Sequence, residues 1–162
     1  EVMGGAATFG SAYAKAQLAA GQKLPDSGTA FISVNNDDKA NVLPIARDLA
    51  GLGFSLLASA GTAEYLQSHG LEVELVYKVN EGRPHIGDRL LNREIDLVIN
   101  TPLGRESHFD DRTLRRIATV LQVPCVTTLT GAAAAVSAIR ALREEAVEVR
   151  PLQEYHASAA RT

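Results

Sequence analysis

The 162-residue chain has one cysteine, one methionine, no tryptophan and an aromatic fraction of only 5%. A single thiol, Cys125, excludes an internal disulfide framework and a cysteine-based zinc site, and it fits a reducing compartment. Neither sign of charge dominates: 16 Lys+Arg against 19 Asp+Glu leave a formal net charge of −3. A slightly acidic chain lacks the basic stripe of a nucleic-acid footprint. No apolar run approaches the roughly 20 residues of a membrane span. Glu1-Val2-Met3-Gly4-Gly5 has no basic n-region, so a signal peptide is not expected there. It is also unlike a natural start, so the chain is expected to be a fragment of something longer. What remains is an ordinary globular balance of 46% hydrophobic and 22% charged residues, which excludes disorder, collagen and coiled coil. At roughly 150 residues per domain the length gives one domain with a short appendage.

The appendage is read at the N-terminus. Thr8 is a candidate N-cap, Phe9, Tyr13, Ala16 and Ala20 recur at helical spacing, and Gly21 sits where a helix-ending glycine belongs. A lone helix of this length is marginal in water, so its apolar face needs a partner. Lys23-Leu24-Pro25-Asp26-Ser27-Gly28 comes next as a linker, and a boundary is placed there. From Thr29 onward, strands at 29–34, 54–58, 73–77, 96–100 and 123–127 alternate with helical segments. Those segments are a helix to about Leu52 with Asn41 as N-cap and Pro44 in its first turn, a Thr62-capped helix ending at Gly70, and helices at 86–93, 110–121 and 130–144. A last edge strand is expected at 146–150. The strands are continuous apolar runs, the signature of burial on both faces. The expectation is an α/β fold: a Rossmann-like three-layer sandwich with a mostly parallel five-stranded sheet and an added edge strand.

Ligands of such sheets bind beyond the carboxyl ends of the strands. The residues just past each expected strand are Asn35–Lys39, then Ser59-Ala60-Gly61-Thr62, Lys78, Asn100-Thr101-Pro102, and Thr127-Thr128-Leu129-Thr130-Gly131. Hydroxyls, amides and lysines crowd one rim from which helices open. Helix-end N–H groups with Lys39 and Lys78 suit an anion, phosphate above all. Ser59-x-Gly61-Thr62 taken alone also reads as an ordinary N-cap turn. No P-loop, no G-x-G-x-x-G and no G-x-S-x-G element is present. His69, His85, His108 and His156 lack metal-ligand spacing. His108-Phe109-Asp110-Asp111 reads as a loop entering a helix, Arg112, Arg115 and Arg116 as a solvated or interdomain face, and Cys125 as a small core residue.

The run Lys78-Val79-Asn80-Glu81-Gly82-Arg83-Pro84-His85-Ile86, with Asp37-Asp38-Lys39 before it and Ile99-Asn100-Thr101 after it, resembles the C-terminal regulatory domain of the carbamoyl-phosphate synthase large subunit, a methylglyoxal-synthase-like fold. The resemblance covers nearly the whole chain. It implies that residues 1–28 are the helical tail of a preceding ATP-grasp synthetase domain plus linker, packed on that missing domain. Residues 29–162 would then be the allosteric domain, with Gln153-Glu154-Tyr155-His156-Ala157 in a terminal tail. It further implies a domain that makes no bond itself but binds nucleotide monophosphates, UMP as inhibitor and IMP as weak activator. Its phosphate contacts would be Lys39, Ser59, Thr62 and Lys78, with Asn100 helping and Gly61 and Thr101 lining the site. Thr127 would stand at an ornithine or interdomain contact. Ser59 replaces a threonine of the best-known bacterial member and keeps the hydroxyl. Pro102 replaces another threonine and loses one donor, and Cys125 stands at that member's tyrosine position. The implied parent is a cytoplasmic, ATP-dependent ligase that uses Mg or Mn. It pairs with a small glutaminase subunit and makes carbamoyl phosphate from bicarbonate and glutamine or ammonia for pyrimidine and arginine biosynthesis. No cofactor, metal or catalytic residue is expected in this domain.

Three rival readings remain open. Methylglyoxal synthase shares the cradle, and His108 matches its second catalytic position. Its catalytic aspartate, however, falls where this chain has Arg83, and proton abstraction then lacks a base. An IMP cyclohydrolase domain shares the Ser/Thr-x-Gly-Thr turn but not Gly82-Arg83-Pro84-His85-Ile86. A pure interaction module, with a merely structural rim, is the third.

Overall fold

A computed structural model describes residues 2–101, 107–144, 147–149, 151 and 153–154, without the side chains of 107–111. Five strands, β1 (Thr29–Val34), β2 (Ser55–Ala58), β3 (Glu74–Leu75), β4 (Leu97–Thr101) and β5 (Cys125–Val126), form one sheet in the order β3-β2-β1-β4-β5. Every adjacent pair is parallel. Of the two strands flanking the turning point of this order, β4 is buried at every position and β1 at its four central ones. The described residues form six helices: α1 (Phe9–Ala19), α2 (Lys39–Gly51), α3 (Ala60–Ser68), α4 (Ile86–Leu91), α5 (Ser107–Val120) and α6 (Leu129–Glu144).

The pleat divides the core. Ala30, Ile32, Leu97 and Ile99 face α2, α3 and α6, where Val42, Leu49, Leu66 and Ile139 are buried, and Ala14 of α1 joins the same cluster by packing on α6. Phe31, Leu57 and Val98 face α4 and α5, where Ile86, Leu90 and Leu114 are buried. The result is the expected three-layer sandwich.

The N-terminal helix is capped as read: Thr8 accepts the Ser11 N–H at 3.2 Å. Its buried face, Gly10 and Ala14, is covered by α6 of this same chain. A Cβ on Gly10 would stand 2.6 Å from the Ser137 carbonyl oxygen, so only glycine lets the two helices approach this closely. α1 therefore belongs to the same core as the sheet. At the other end of the linker, Gly28 has φ +118°, and a Cβ there would lie 2.0 Å from Asp96 Oδ2. That carboxylate accepts the Thr29 N–H at 2.8 Å and pins the start of β1.

Several boundaries differ from expectation. α2 starts at Lys39, not at an Asn41 cap, so Pro44 lies inside the helix. Pro44 and Ala40 are both exposed, so the Ala40 carbonyl that a proline cannot pair with faces water. α3 starts at Ala60 after Ser59, so Thr62 is its third residue and not its cap. β3 and β5 are shorter than expected, although Val76 N–H still donates to the Ala58 carbonyl at 2.9 Å and extends the β2 pairing by one residue. Of the expected edge strand at 146–150, residues 147–149 carry no strand structure, and 146 and 150 lie outside the described residues. The sheet is five-stranded and wholly parallel among the described residues.

Candidate anion-binding site at the carboxyl rim of the sheet

After β1 the chain builds outward through β2 to β3, and it then returns to the far side of β1 as β4. Such a reversal opens a crevice at the carboxyl ends of the two diverging strands. In the β1–β4 register, Ser33 stands opposite Asn100 and Val34 opposite Thr101. Ser33, Asn100 and Thr101 are buried, as are Ser59 and Thr62 from the neighbouring β2–α3 junction.

The hydroxyls form a connected set. Ser33 Oγ and Ser59 Oγ are 3.0 Å apart, and Ser59 Oγ donates to Thr62 Oγ1 at 3.4 Å. Thr62 Oγ1 accepts the Val34 N–H at 3.2 Å and donates to the Val34 carbonyl at 3.4 Å. Thr62 thus staples α3 to the end of β1. Hydroxyl protons rotate, so the same oxygens can instead donate to an acceptor seated above them.

The helix starts here break a rule that α1, α4 and α6 obey. α1, α4 and α6 are capped by their own N-terminal side chains. Thr8 and Thr128 accept amides from Ser11 and Gly131, and His85 exchanges bonds with Asp88 in a capping box. At α2 and α3 the residues in the cap position, Asp38 and Ser59, are good cappers by type, yet neither side chain caps. Ser59 is engaged with the hydroxyl set. The amides of Thr62 and Ala63 go back to the Ser59 carbonyl, and those of Ala60 and Gly61 meet no acceptor among the described residues. Open first-turn amides carry the positive end of the helix dipole.

Lys39 opens α2 beside this gap. Its ammonium lies 3.2 Å from where a Cβ on Gly61 would stand, and it has no ion pair among the described residues. The loop before it is fixed by Asn35. The Asn35 side-chain oxygen Oδ1 accepts the amides of Asp37 and Asp38 at 2.9 and 3.1 Å. Its amide donates to the Asp38 carboxylate at 2.7 Å and to the Thr101 carbonyl at 3.3 Å.

Of the residues read from sequence, the fold brings Lys39, Ser59, Gly61, Thr62, Asn100 and Thr101 to this corner. Lys78 lies on the same rim, just past β3 in a turn where its N–H donates to Glu81 Oε2 at 2.9 Å. Its half-buried side chain has no hydrogen bond to the hydroxyl set. Thr127 is exposed after β5, at the far side of the rim from α3. Pro102 lies outside the described residues, as do 155–157 of the expected tail; His108 falls in α5 among the undescribed side chains. Sequence reading missed Ser33, and it placed Asn35 on the rim without giving it a role. Ser33 was hidden as a polar residue closing an apolar strand, and Asn35 as one turn residue among four.

The edge beyond Lys78 is held by charge. Arg89 on α4 bonds the carboxylates of Glu74 on β3 and of Glu94, the latter at 2.9 Å. The hydrogen bond from Arg89, helped by Asn92, holds the Glu94 carboxyl below the usual glutamate range, and that bond in turn raises Arg89. A separate cleft of about 490 Å3 opens at the opposite, amino-terminal edge of the sheet, between the linker and the corners at Arg93 and Gln122. It shares no residue with the rim. Among the described residues no group of three or more His, Cys, Asp or Glu side chains could hold a metal, and no helix is long and apolar enough to cross a membrane. The rim offers amides, hydroxyls and an ammonium, a set suited to an oxyanion.

Residues 41–127, from α2 through the end of β5, match the family described as MGS-like domain. The chain belongs to the MGS-like family. Its fold matches the crystal structure of methylglyoxal synthase from Elizabethkingia anophelis with a TM-score of 0.56 at 21% identity, over 70% of this chain and 79% of that one. In sequence it is 48% identical over 97% of its length to a carbamoyl phosphate synthase large chain of Acidobacterium capsulatum, and 50% identical over 97% to that of Mesorhizobium japonicum. It is 52% identical over 96% to the C-terminal section of the large chain of Methanopyrus kandleri. The chain spans 14% of each of the first two relatives and 29% of the third. In this MGS-like domain Arg83 presents an exposed guanidinium 3.8 Å from Asp88 Oδ1.

Proposed function

We propose that this MGS-like domain is the effector-binding part of a carbamoyl-phosphate synthase large chain and takes a nucleoside monophosphate, UMP as inhibitor or IMP as activator, by its phosphate. The observation that carries this reading is the pair of uncapped helix starts that meet at the Lys39 ammonium, above the Ser33–Ser59–Thr62 hydroxyls. The phosphate carries about −1.5 to −2 charges at pH 7. Amides of Ala60 and Gly61, the hydroxyls of Ser59 and Thr62 and the ammonium of Lys39 bind it, while Asn100, Thr101 and Lys78 line the remainder of the rim. Charge-assisted bonds contribute roughly 1.5–3 kcal/mol each. Three or four of them, less the cost of ordering, suffice for micromolar affinity, about 8 kcal/mol.

Within this reading residues 1–28 continue from a preceding synthetase unit. The longer protein carries out the ATP- and Mg-dependent synthesis of carbamoyl phosphate in the cytoplasm together with a small glutaminase subunit, and Thr127 lies toward an ornithine or interdomain contact. Regulation arises when the effector binds one state of the synthetase more tightly than another. The domain itself makes no bond, because a guanidinium at Arg83 cannot abstract a proton. Calorimetry with UMP, IMP, uridine and inorganic phosphate tests the proposal. Heats from UMP or IMP and weaker heats from phosphate are expected, with none from uridine. Equal heats for UMP and uridine, or none for any of them, reject it. Methylglyoxal formed from dihydroxyacetone phosphate would reject the non-catalytic part.

A further inference from the structure

The loop between β1 and α2 places a carboxylate where it has no obvious use. Asp38 directly precedes Lys39 at the rim, and a free carboxylate there would pair with the same ammonium and the same open amides that await a phosphate. It does neither. Its side chain makes no cap bond to α2, and Lys39 has no ion pair among the described residues. What holds it is Asn35, whose amide reaches Asp38 Oδ2 at 2.7 Å, the shortest of the bonds Asn35 makes. The amide is itself braced from the other side: it also donates to the Thr101 carbonyl and Thr101 Oγ1 at 3.3 and 3.4 Å, and the Asn35 N–H donates to the Thr101 carbonyl at 3.3 Å. Its oxygen, meanwhile, anchors the turn through the amides of Asp37 and Asp38. Every polar group of this side chain is therefore spent on fixing the loop and the carboxylate against β4.

We propose that Asn35 is a positioning residue that withholds the Asp38 carboxylate from the anion site, so that Lys39 and the helix amides stay available to a phosphate. This rests on the reading that the rim binds a phosphate monoester. Removing the amide donor releases an internal competitor: a tethered carboxylate of the sign and donor preference of the ligand, at an effective concentration no free anion matches. The effect runs through Asp38 and not through any contact between Asn35 and the ligand, and that is what makes it separable from ordinary loop damage.

The test uses Asn35→Ser, in which a hydroxyl can still cap the 36–38 turn but is too short to hold the carboxylate, alongside Asn35→Ala, Asp38→Ala and Asn35→Ser/Asp38→Ala. Each is titrated with UMP and with inorganic phosphate and melted without ligand. Asn35→Ser should weaken UMP by about tenfold or more with little change in melting temperature. Asp38→Ala alone should bind UMP as tightly as the unmodified chain or tighter. The double variant should return to within about threefold of it. A merely structural Asn35 gives no such rescue. The proposal is overturned if Asn35→Ser and Asn35→Ala bind normally, if Asp38→Ala weakens UMP, or if the double variant stays as weak as the single. Failure of the unmodified chain to bind UMP, IMP or phosphate would instead sink the reading of the rim, and this proposal with it.

Discussion

Replacing Lys39 by methionine removes one charge from the rim while keeping most of the apolar stem. In the folded chain the ammonium is half-buried, sits beside Gly61 and has no ion pair among the described residues, so its loss orphans no partner. The expected change in stability is therefore that of a surface substitution, within about 0.5 kcal/mol, or roughly 1–2 °C in melting temperature for a chain of this size. Binding is a different matter. A unit charge about 4 Å from another is worth at most about 4 kcal/mol at an effective dielectric of 20, and a single charge-assisted bond roughly 1.5–3 kcal/mol net. UMP affinity should thus fall between about tenfold and a hundredfold or slightly more. Uridine should remain silent with both proteins. Titration calorimetry at about 0.15 M salt, where screening acts over about 8 Å, reads the loss; repeating it at higher salt should narrow the gap between the two proteins. Unchanged UMP affinity would refute the reasoning. So would a melting temperature several degrees lower, since the ammonium would then be part of the scaffold.

Thr62→Val has the opposite profile for stability. It strips the partner from the part-buried Val34 N–H and costs about 1–3 kcal/mol, so the urea midpoint should drop clearly, and an unchanged midpoint would contradict the stapling role. Gly28→Ala forces a Cβ into the Asp96 carboxylate at a positive φ and breaks its bond to Thr29. A loss of about 2 kcal/mol or more is expected, and combining it with Asp96→Ala should cost less than the sum of the two; strict additivity would argue against the shared contact. Glu94 has its pKa lowered in the fold by Arg89, so the stability it lends is present above the ordinary glutamate range and is lost as pH falls through its depressed value. The melting temperature of Glu94→Gln should lie slightly below that of the unmodified chain near pH 7 and converge with it in acid. A gap that widens on acidification would reverse that sign.

The sheet was legible because its strands are apolar without alternation. Thr29–Val34 is the clearest case, with both ends where the pattern puts them, and the parallel order is required once helices of at least one turn separate every pair of strands. Lengths of the edge strands were not legible. Val73, Val123 and Thr127 continue the apolar or β-branched pattern, yet among the described residues no strand lies beyond β3 or β5 to complete the ladder, and Tyr77 makes only an isolated bridge to His85. Nor does composition say what covers α1. Its buried face consists of Gly10 and Ala14, residues too small to register as an apolar stripe, and the cover is the equally small-sided alanine run of α6. Two faces of small residues fit each other because smallness permits the close approach that makes the contact favourable, while Phe9, on the face expected to meet a preceding domain, stays exposed.

The corner that carries the candidate site was legible for a related but inverted reason. Lys39, Ser59, Gly61, Thr62 and Asn100 could be found by asking which residues lie just past the end of each strand, a question about topology that needs no side-chain geometry. The errors fell at the two helix starts of that same rim. Local rules made Asn41 the cap of α2, because Pro44 then falls in the first turn, and made Thr62 the cap of α3. Instead a proline is tolerated inside α2, and two residues suited to capping leave their helices open. Ser59 and Asp38 are each held by a neighbour, Ser33 and Asn35, that adds nothing to local helix propensity. Helix-starting preferences describe what a chain does when its own side chains must satisfy its first amides. Where the amides serve something else, those preferences give the wrong boundary, and the displaced boundary marks the place. The disagreement between local preference and observed geometry at α2 and α3 therefore points to the same corner as the strand-end chemistry, and it does so without reference to any relative. A structure of the UMP-bound chain in which Ser59 or Asp38 caps its own helix would remove that second line of argument.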